Sequence, residues 1–578
     1  MPAALTVSLL LAAAPPEIVA QRDLPVRMRD GVTLRADVVR PLDGGRFPVL
    51  LYRTPYDKSL VSQDAAGIAR AAVTRGYAVV VQDVRGRYAS EGEFVPYRHE
   101  GPDGYDTIEW AASQPWSNGR VGTFGLSYPG AVQWLAALET PPSLVAMVPA
   151  MTFSSPRHFF YAGGVFDLSW IPWIWNNIAP DTRERNGLSG PRTTAAAQEA
   201  WRGVRSGFQR LLPLTALDAF AKAAPYYFEW LRHPPGDTWW DWAEVRGKHH
   251  RARAAVLNLS GWHDEAYGPE GAITNYVGLV NTRGGRDPRP RLVIGPWTHG
   301  VEATRLTKAG DREFGPQARI GYEDLVLRFM DAHVRGLAGW SEREEPVRVF
   351  VMGENVWRTS DTWPLAATRS VSAYLEGATT PGGAGRLWNA PPSEGPALSA
   401  LESDPLQPVV DPFADSPGAH DYRDLPKRGD VLSFETGPLE SDMRVAGEIA
   451  AEVFLESDAP DTDLWVKLFD VAPDGTAWNL MSPGADVLRA SYRDGGPTRS
   501  LLVPGQVYKL RLENLRTANL FRKGHRLRVV LSTTFFPHFS RNLHTGELET
   551  VSGDARKATL RIYHDGPRPS RIILPVVD

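Results

Sequence analysis

Short, nearly unbroken apolar runs punctuate the first half of the chain: residues 47–53 (FPVLLYR), 77–82 (YAVVVQ), 255–260 (AVLNLS) and 291–295 (RLVIG). Strands that are apolar at consecutive positions are buried on both faces, as in a parallel sheet covered by helices. Ahead of them, residues 24–41 alternate apolar and polar around Asp30-Gly31, which predicts a β-hairpin. Helical spacing follows at 65–75 and at 103–114, with Ile108, Trp110 and Ala111 on the inward side. A short strand at 119–122 leads into an apolar helix at 131–138, and a helix at 325–334 ends on Gly336. Strand and helix in alternation predict an open parallel α/β sheet, whose functional groups collect at the carboxyl ends of its strands.

Two regions break this rhythm. Residues 153–251 read as helical segments at 166–177, 193–212, 217–223 and 226–232, with Trp170, Trp173, Trp175, Trp201, Trp230, Trp239, Trp240 and Trp242 among them. An aromatic helical insertion after the first half of a sheet predicts a cap, most of its tryptophans being inter-helix core. From residue 345 short strands take over, at 346–352, 370–375, 443–455, 464–471, 506–515, 526–533 and 558–563. Pro, Gly and Asp between them predict an all-β sandwich, and residues 377–410, rich in Gly, Pro and Ser, read as loop. The expected organisation is therefore an α/β domain in two halves, 21–152 and 252–344, a helical cap at 153–251 and a β-domain at 345–578. A chain of 578 residues is too long for one core in any case.

Composition changes this picture little. A formal net charge of -4 offers no attraction to nucleic acid, and with no cysteine neither a thiolate nucleophile nor a disulfide is available. The apolar run at 3–14 is too short to span a bilayer and has the form of a secretory signal, within a leader of residues 1–20 cut after Ala14 or Ala20. No Lys or Arg precedes it, which speaks against export; a secreted or periplasmic location follows if it is a signal, a cytoplasmic one otherwise. No other stretch is long enough for a membrane span.

The chemistry centres on residues 119–130 (GRVGTFGLSYPG), where Ser127 sits in a Gly-x-Ser-x-x-Gly turn between strand and helix. This is close to the Gly-x-Ser-x-Gly elbow that presents a nucleophilic serine to a helix N-terminus. Asp264 and His299 each follow another buried strand, in the chain order Ser, Asp, His expected of an α/β-hydrolase triad. Asp83 also follows a buried strand but precedes the serine; His263 and Glu265 flank Asp264 and compete for the base and orienting roles.

Six segments taken together resemble the family of cocaine esterases and X-Pro dipeptidyl-peptidases, which also holds α-amino-acid ester hydrolases and glutaryl acylases. They are residues 53–58 (RTPYDK), 82–86 (QDVRG), 90–94 (SEGEF), 125–128 (GLSY), 261–264 (GWHD) and 295–299 (GPWTH), in family order. The resemblance implies an α/β-hydrolase domain with a cap and a C-terminal jelly roll. It implies Ser127 as nucleophile, Asp264 as orienter, His299 as base, and an oxyanion hole from the Tyr56 hydroxyl and the Tyr128 backbone N–H. Trp173, Trp262 and Trp297 are the expected substrate-lining residues. The expected activity is a cofactor-independent, metal-free serine esterase of the cocaine-esterase branch, acting on a small-molecule ester or amide, with no nucleic-acid or membrane partner and a homo-oligomer left open. The alternatives are an amide-cleaving acylase, an X-Pro dipeptidyl peptidase or an α-amino-acid ester hydrolase of the same family. The Ala266-Tyr267-Gly268 that follows Glu265 leaves incomplete the carboxylate cluster that would hold a substrate ammonium.

Overall fold

The computed structural model describes residues 17–577 apart from 338–344, 366–367, 378, 393–396 and 497. Most of the apolar leader lies outside these residues. Ala20, one expected cleavage site, lies inside the first strand, where it pairs with Val39.

Among the described residues the first sheet has ten strands. They are β1 (Ile18–Arg27), β2 (Thr33–Pro41), β3 (Phe47–Thr54), β4 (Ala78–Asp83), β5 (Ser117–Leu126), β6 (Leu144–Ala150), β7 (Ala255–Gly261), β8 (Arg291–Gly295), β9 (Val347–Val351) and β10 (Val356–Ser360). Their spatial order is β1-β2-β4-β3-β5-β6-β7-β8-β9-β10. The run from β4 to β9 is parallel throughout, with antiparallel pairs at both margins. The apolar runs owe their continuity to this burial. Val49 and Leu51 face one core together with Val80, while Leu50 faces the opposite core together with Val79 and Val81. Helices Glu100–Ser113 and Tyr128–Leu138 cover the first face; Ile68–Thr74 and Tyr322–His333 cover the second.

Several expectations change. The helix expected at 65–75 is the shorter Ile68–Thr74, and a separate turn of helix, Ser59–Ser62, precedes it. Strand β6 and helix Glu270–Arg283 carry no clear periodicity and escape the sequence reading. Residues 346–352, assigned to the β-domain, form β9, which pairs in parallel with β8 and so prolongs the first sheet beyond residue 345. A five-residue apolar strand looks the same in either sheet; only its partner decides.

The cap helices pack on the same core as one face of the sheet, and Trp170, Trp175, Trp230 and Trp240 are buried in it. The segment expected at 217–223 is only a 3-10 turn, Asp218–Phe220. The C-terminal domain is all-β, with thirteen strands in its sheet among the described residues. It includes Ala384–Trp388 and Leu398–Ser403, inside the stretch read as loop. Met352 joins the two sheets, donating its N–H to Ala518 O (2.9 Å) and accepting that of Leu520 (2.7 Å). The β-domain also supports the cap, through Leu168 N–H to His538 O at 2.9 Å.

Candidate active site

Ser127 stands between β5 and helix Tyr128–Leu138 with φ 70° and ψ −130°. That is a strained conformation for a residue with a Cβ, and it persists because the surroundings over-determine it. The Ser127 N–H donates to Ala150 O at 3.0 Å, and its carbonyl accepts from Gly130 and Ala131. The flanking glycines allow the close approach this turn needs. A Cβ on Gly125 (φ 147°) would lie 2.5 Å from Pro129 Cβ, and one on Gly130 would lie 2.6 Å from Ala150 O. The Tyr128 N–H is the first of the helix and has no acceptor within it, so it is free to face an anion at the turn.

β5, β6, β7 and β8 are consecutive parallel neighbours, so Ser127, Asp264 and His299 emerge at one carboxyl edge. His299 Nδ1 lies 2.9 Å from Asp264 Oδ1. A carboxylate only accepts, so Nδ1 carries the hydrogen and Nε2 is left as the basic nitrogen. Asp264 is fully buried, and its Oδ1 also accepts the Ala266 N–H (3.0 Å) and the Tyr267 N–H (3.2 Å). From the β-domain, the Ser482 hydroxyl donates to the Asp264 carbonyl at 2.8 Å. Burial alone would depress the His299 pKa; the ion pair and hydrogen bond with Asp264, aided by Glu265, outweigh it and hold the imidazole above its ordinary value.

The competing residues fall elsewhere. The Glu265 carboxylate takes the His299 backbone N–H (3.0 Å) rather than the ring. His263 is fully buried against Phe314, its pKa pushed down to about 3 by burial. Asp83 takes the Lys58 N–H (2.7 Å) and Lys58 Nζ (3.1 Å), anchoring the loop that carries Tyr56.

The Tyr56 hydroxyl accepts the Trp173 indole N–H at 2.9 Å. Burial pushes its pKa up to about 12, so the phenol keeps its proton and remains a donor. The Tyr128 ring points away from the turn. Its hydroxyl donates to buried Glu100 (2.8 Å), which pairs with Arg53 (2.8 Å), so only the backbone of Tyr128 faces the elbow.

Two of the three expected substrate tryptophans do not line the site. Trp262 is fully buried, its indole donating to Phe350 O at 2.7 Å, and Trp297 is sealed on the other side, donating to Ala318 O at 2.8 Å. Both follow strand ends, but their rings turn into the core beneath. Tyr267, missed by the sequence reading, does stand at the site. Its hydroxyl lies 3.1 Å from that of Tyr97, and its ring packs 5.6 Å from the His299 imidazole. Its place three residues after Asp264 was the available signal. A cavity beside Tyr267 is lined by Phe153, Phe159, Phe539 and by the acidic residues Asp167, Glu265 and Glu270.

The chain matches the X-Pro dipeptidyl-peptidase (S15 family) over residues 30–301 and the X-Pro dipeptidyl-peptidase C-terminal non-catalytic domain over residues 338–573. It is 32% identical to cocaine esterase of Rhodococcus sp. (strain MB1 Bresler), over 96% of this chain and 97% of that one. Among solved structures, an α-amino acid ester hydrolase superposes with TM-score 0.82 at 26% identity, each chain covered completely. An aminopeptidase from a marine sediment Thaumarchaeota archaeon, at 23% identity, shares the fold with TM-score 0.81 over 100% of this chain and 99% of its own. With the fold, the strand-end geometry and similarity along nearly its whole length in agreement, the chain belongs to the X-Pro dipeptidyl-peptidase (S15) family of α/β serine hydrolases.

Proposed function

We propose that this protein is a carboxylesterase working through an acyl-enzyme on Ser127. The observation that carries the reading is the buried Asp264–His299 pair on the strand edge that also presents the strained serine. Ser127 Oγ attacks the ester carbonyl and passes its proton to His299 Nε2, while Asp264 stabilises the imidazolium. The developing oxyanion takes the Tyr56 hydroxyl and the Tyr128 N–H. His299 then protonates the leaving alcohol. Water attacks the acyl-enzyme, giving a proton to His299, which returns it to Ser127 Oγ as the acid departs.

Similarity to an esterase over nearly the whole chain supports ester over amide. The engagement of Glu265 by the His299 N–H leaves one fewer free carboxylate for an ammonium group, which speaks against an amine-bearing acyl group. A panel of matched p-nitrophenyl esters and p-nitroanilides tests the ester preference: kcat/KM is expected to favour the esters by orders of magnitude. A second reading, an amine-bearing acyl group, is favoured by Asp167, a cap carboxyl in the cavity beside Tyr267 whose pKa burial raises to about 6. Aminoacyl esters hydrolysed faster than their N-acetylated forms, with the preference lost in Asp167→Asn, would establish it.

Tyr56→Phe removes one oxyanion donor. It is expected to lower kcat by about a hundred- to a thousandfold with little change in KM, measured on a p-nitrophenyl ester. Weakened KM with unchanged kcat would place Tyr56 in ground-state binding instead.

A further inference from the structure

We propose that Trp173 is a positioning residue for the oxyanion hole: by donating its indole N–H to the Tyr56 hydroxyl oxygen, it turns the Tyr56 proton toward the substrate carbonyl. The proposal rests on the reading of Tyr56 as an oxyanion donor. An indole nitrogen only donates, and a phenol has a single hydrogen. With the Trp173 N–H at 2.9 Å, the Tyr56 hydroxyl accepts on that side and points its own hydrogen elsewhere. A phenol that accepts a hydrogen bond is also polarised into a better donor.

Trp173 is held to do this. Its ring lies parallel to that of Tyr128 (6.3 Å, 11°) and edge-on to Trp170 (5.1 Å, 90°). Directly after it the cap chain widens into a π-helical turn, Ile174–Ile178, a departure from α geometry that is common at functional sites. The fully buried Arg87 spans from the end of that turn back to the Tyr56 loop. Its Nη1 donates to Ile178 O (2.8 Å), its Nη2 to Asn177 O (3.2 Å) and its Nε to Pro55 O (2.8 Å), while Asp181 balances its charge at 3.2 Å. Pro55 immediately precedes Tyr56. The result is a closed circuit: Tyr56 to Trp173, along the π-turn to Ile178, through Arg87 to Pro55, and back to Tyr56. A cap displaced from the sheet would break the Trp173–Tyr56 bond, so cap placement and the Tyr56 donor are coupled.

A double-mutant cycle tests this, with kcat, KM and boronic-acid inhibition measured for Trp173→Phe, Tyr56→Phe and the pair, each checked for folding by thermal unfolding. Trp173→Phe keeps a stacking ring, a smaller one, and loses the donor; the double-mutant cycle separates the two, because lost packing does not depend on the Tyr56 hydroxyl. The substitution is expected to lower kcat and boronic-acid affinity about three- to tenfold, the worth of one hydrogen bond, with KM within about twofold. In the Tyr56→Phe background the same change is expected to have no further effect. Arg87→Lys, which keeps the charge but loses the fork, should show the same dependence on Tyr56. A Trp173→Phe loss of equal size with and without Tyr56, an effect confined to KM, or unchanged kcat would overturn the proposal and leave Trp173 a pocket wall. Unchanged kcat in Tyr56→Phe alone would instead remove the oxyanion reading beneath it.

Discussion

Ser127→Ala is expected to lower kcat by about a millionfold, the scale seen when a triad nucleophile is removed, while leaving the fold intact. The loss is large because nucleophile and base act as a unit: without Oγ, the His299 base has no proton to take and no acyl-enzyme can form. The fold survives because the turn is held by the main chain, through the Ser127 N–H to Ala150 O and the Ser127 carbonyl to Gly130 and Ala131. Alanine has the same Cβ and therefore the same strain at φ 70°. The thermal midpoint should stay within a few degrees of the parent, and both the burst of p-nitrophenol and fluorophosphonate labelling should vanish. Full-rate hydrolysis by this variant would show that another group carries the reaction.

Asp264→Asn is expected to cost about ten-thousandfold in kcat. The introduced side-chain amide can offer its N–H₂ to His299 Nδ1. That would leave the hydrogen on Nε2, the nitrogen that must receive the serine proton. The same change carries a pH signature. In the parent, burial lowers the His299 pKa but Asp264 and Glu265 raise it by more, so the net shift is upward. Catalysis needs the neutral imidazole. The rate should therefore fall as pH drops through a value above the ordinary imidazole pKa of about 6.5. With Asp264 neutralised, burial is opposed mainly by Glu265, and the acid limb should move to lower pH. The profile of kcat/KM for parent and variant measures this; an acid limb that stays in place would mean that another group titrates.

These expectations draw on different depths of information. Ser127 was legible from its Gly-x-Ser-x-x-Gly turn, and Asp264 and His299 because each follows an apolar run of strand length; parallel strands expose their ends at one edge. Trp262 and Trp297 shared that local context yet face the core. A ring's direction depends on its rotamer and on the carbonyls of Phe350 and Ala318, which lie 88 and 21 residues away in the chain. Strand β6 and helix Glu270–Arg283 were missed because they are nearly buried or evenly mixed, and periodicity reports only a contrast between faces. The affiliation of β9 was misjudged because strand pairing is a non-local property.

The sequence by itself determined that a serine, an aspartate and a histidine each follow a strand, because local hydrophobic pattern and turn chemistry suffice for that; that the three strands share one sheet edge is a matter of pairing, which the tertiary structure decides. Only the tertiary structure decided which neighbours serve them: Tyr267 over the imidazole, Ser482 from the β-domain beneath Asp264, and Trp173 and Arg87 tying the cap to Tyr56. Those contacts join segments tens to hundreds of residues apart, and their hydrogen bonds form only where packing has brought donor and acceptor within about 3 Å.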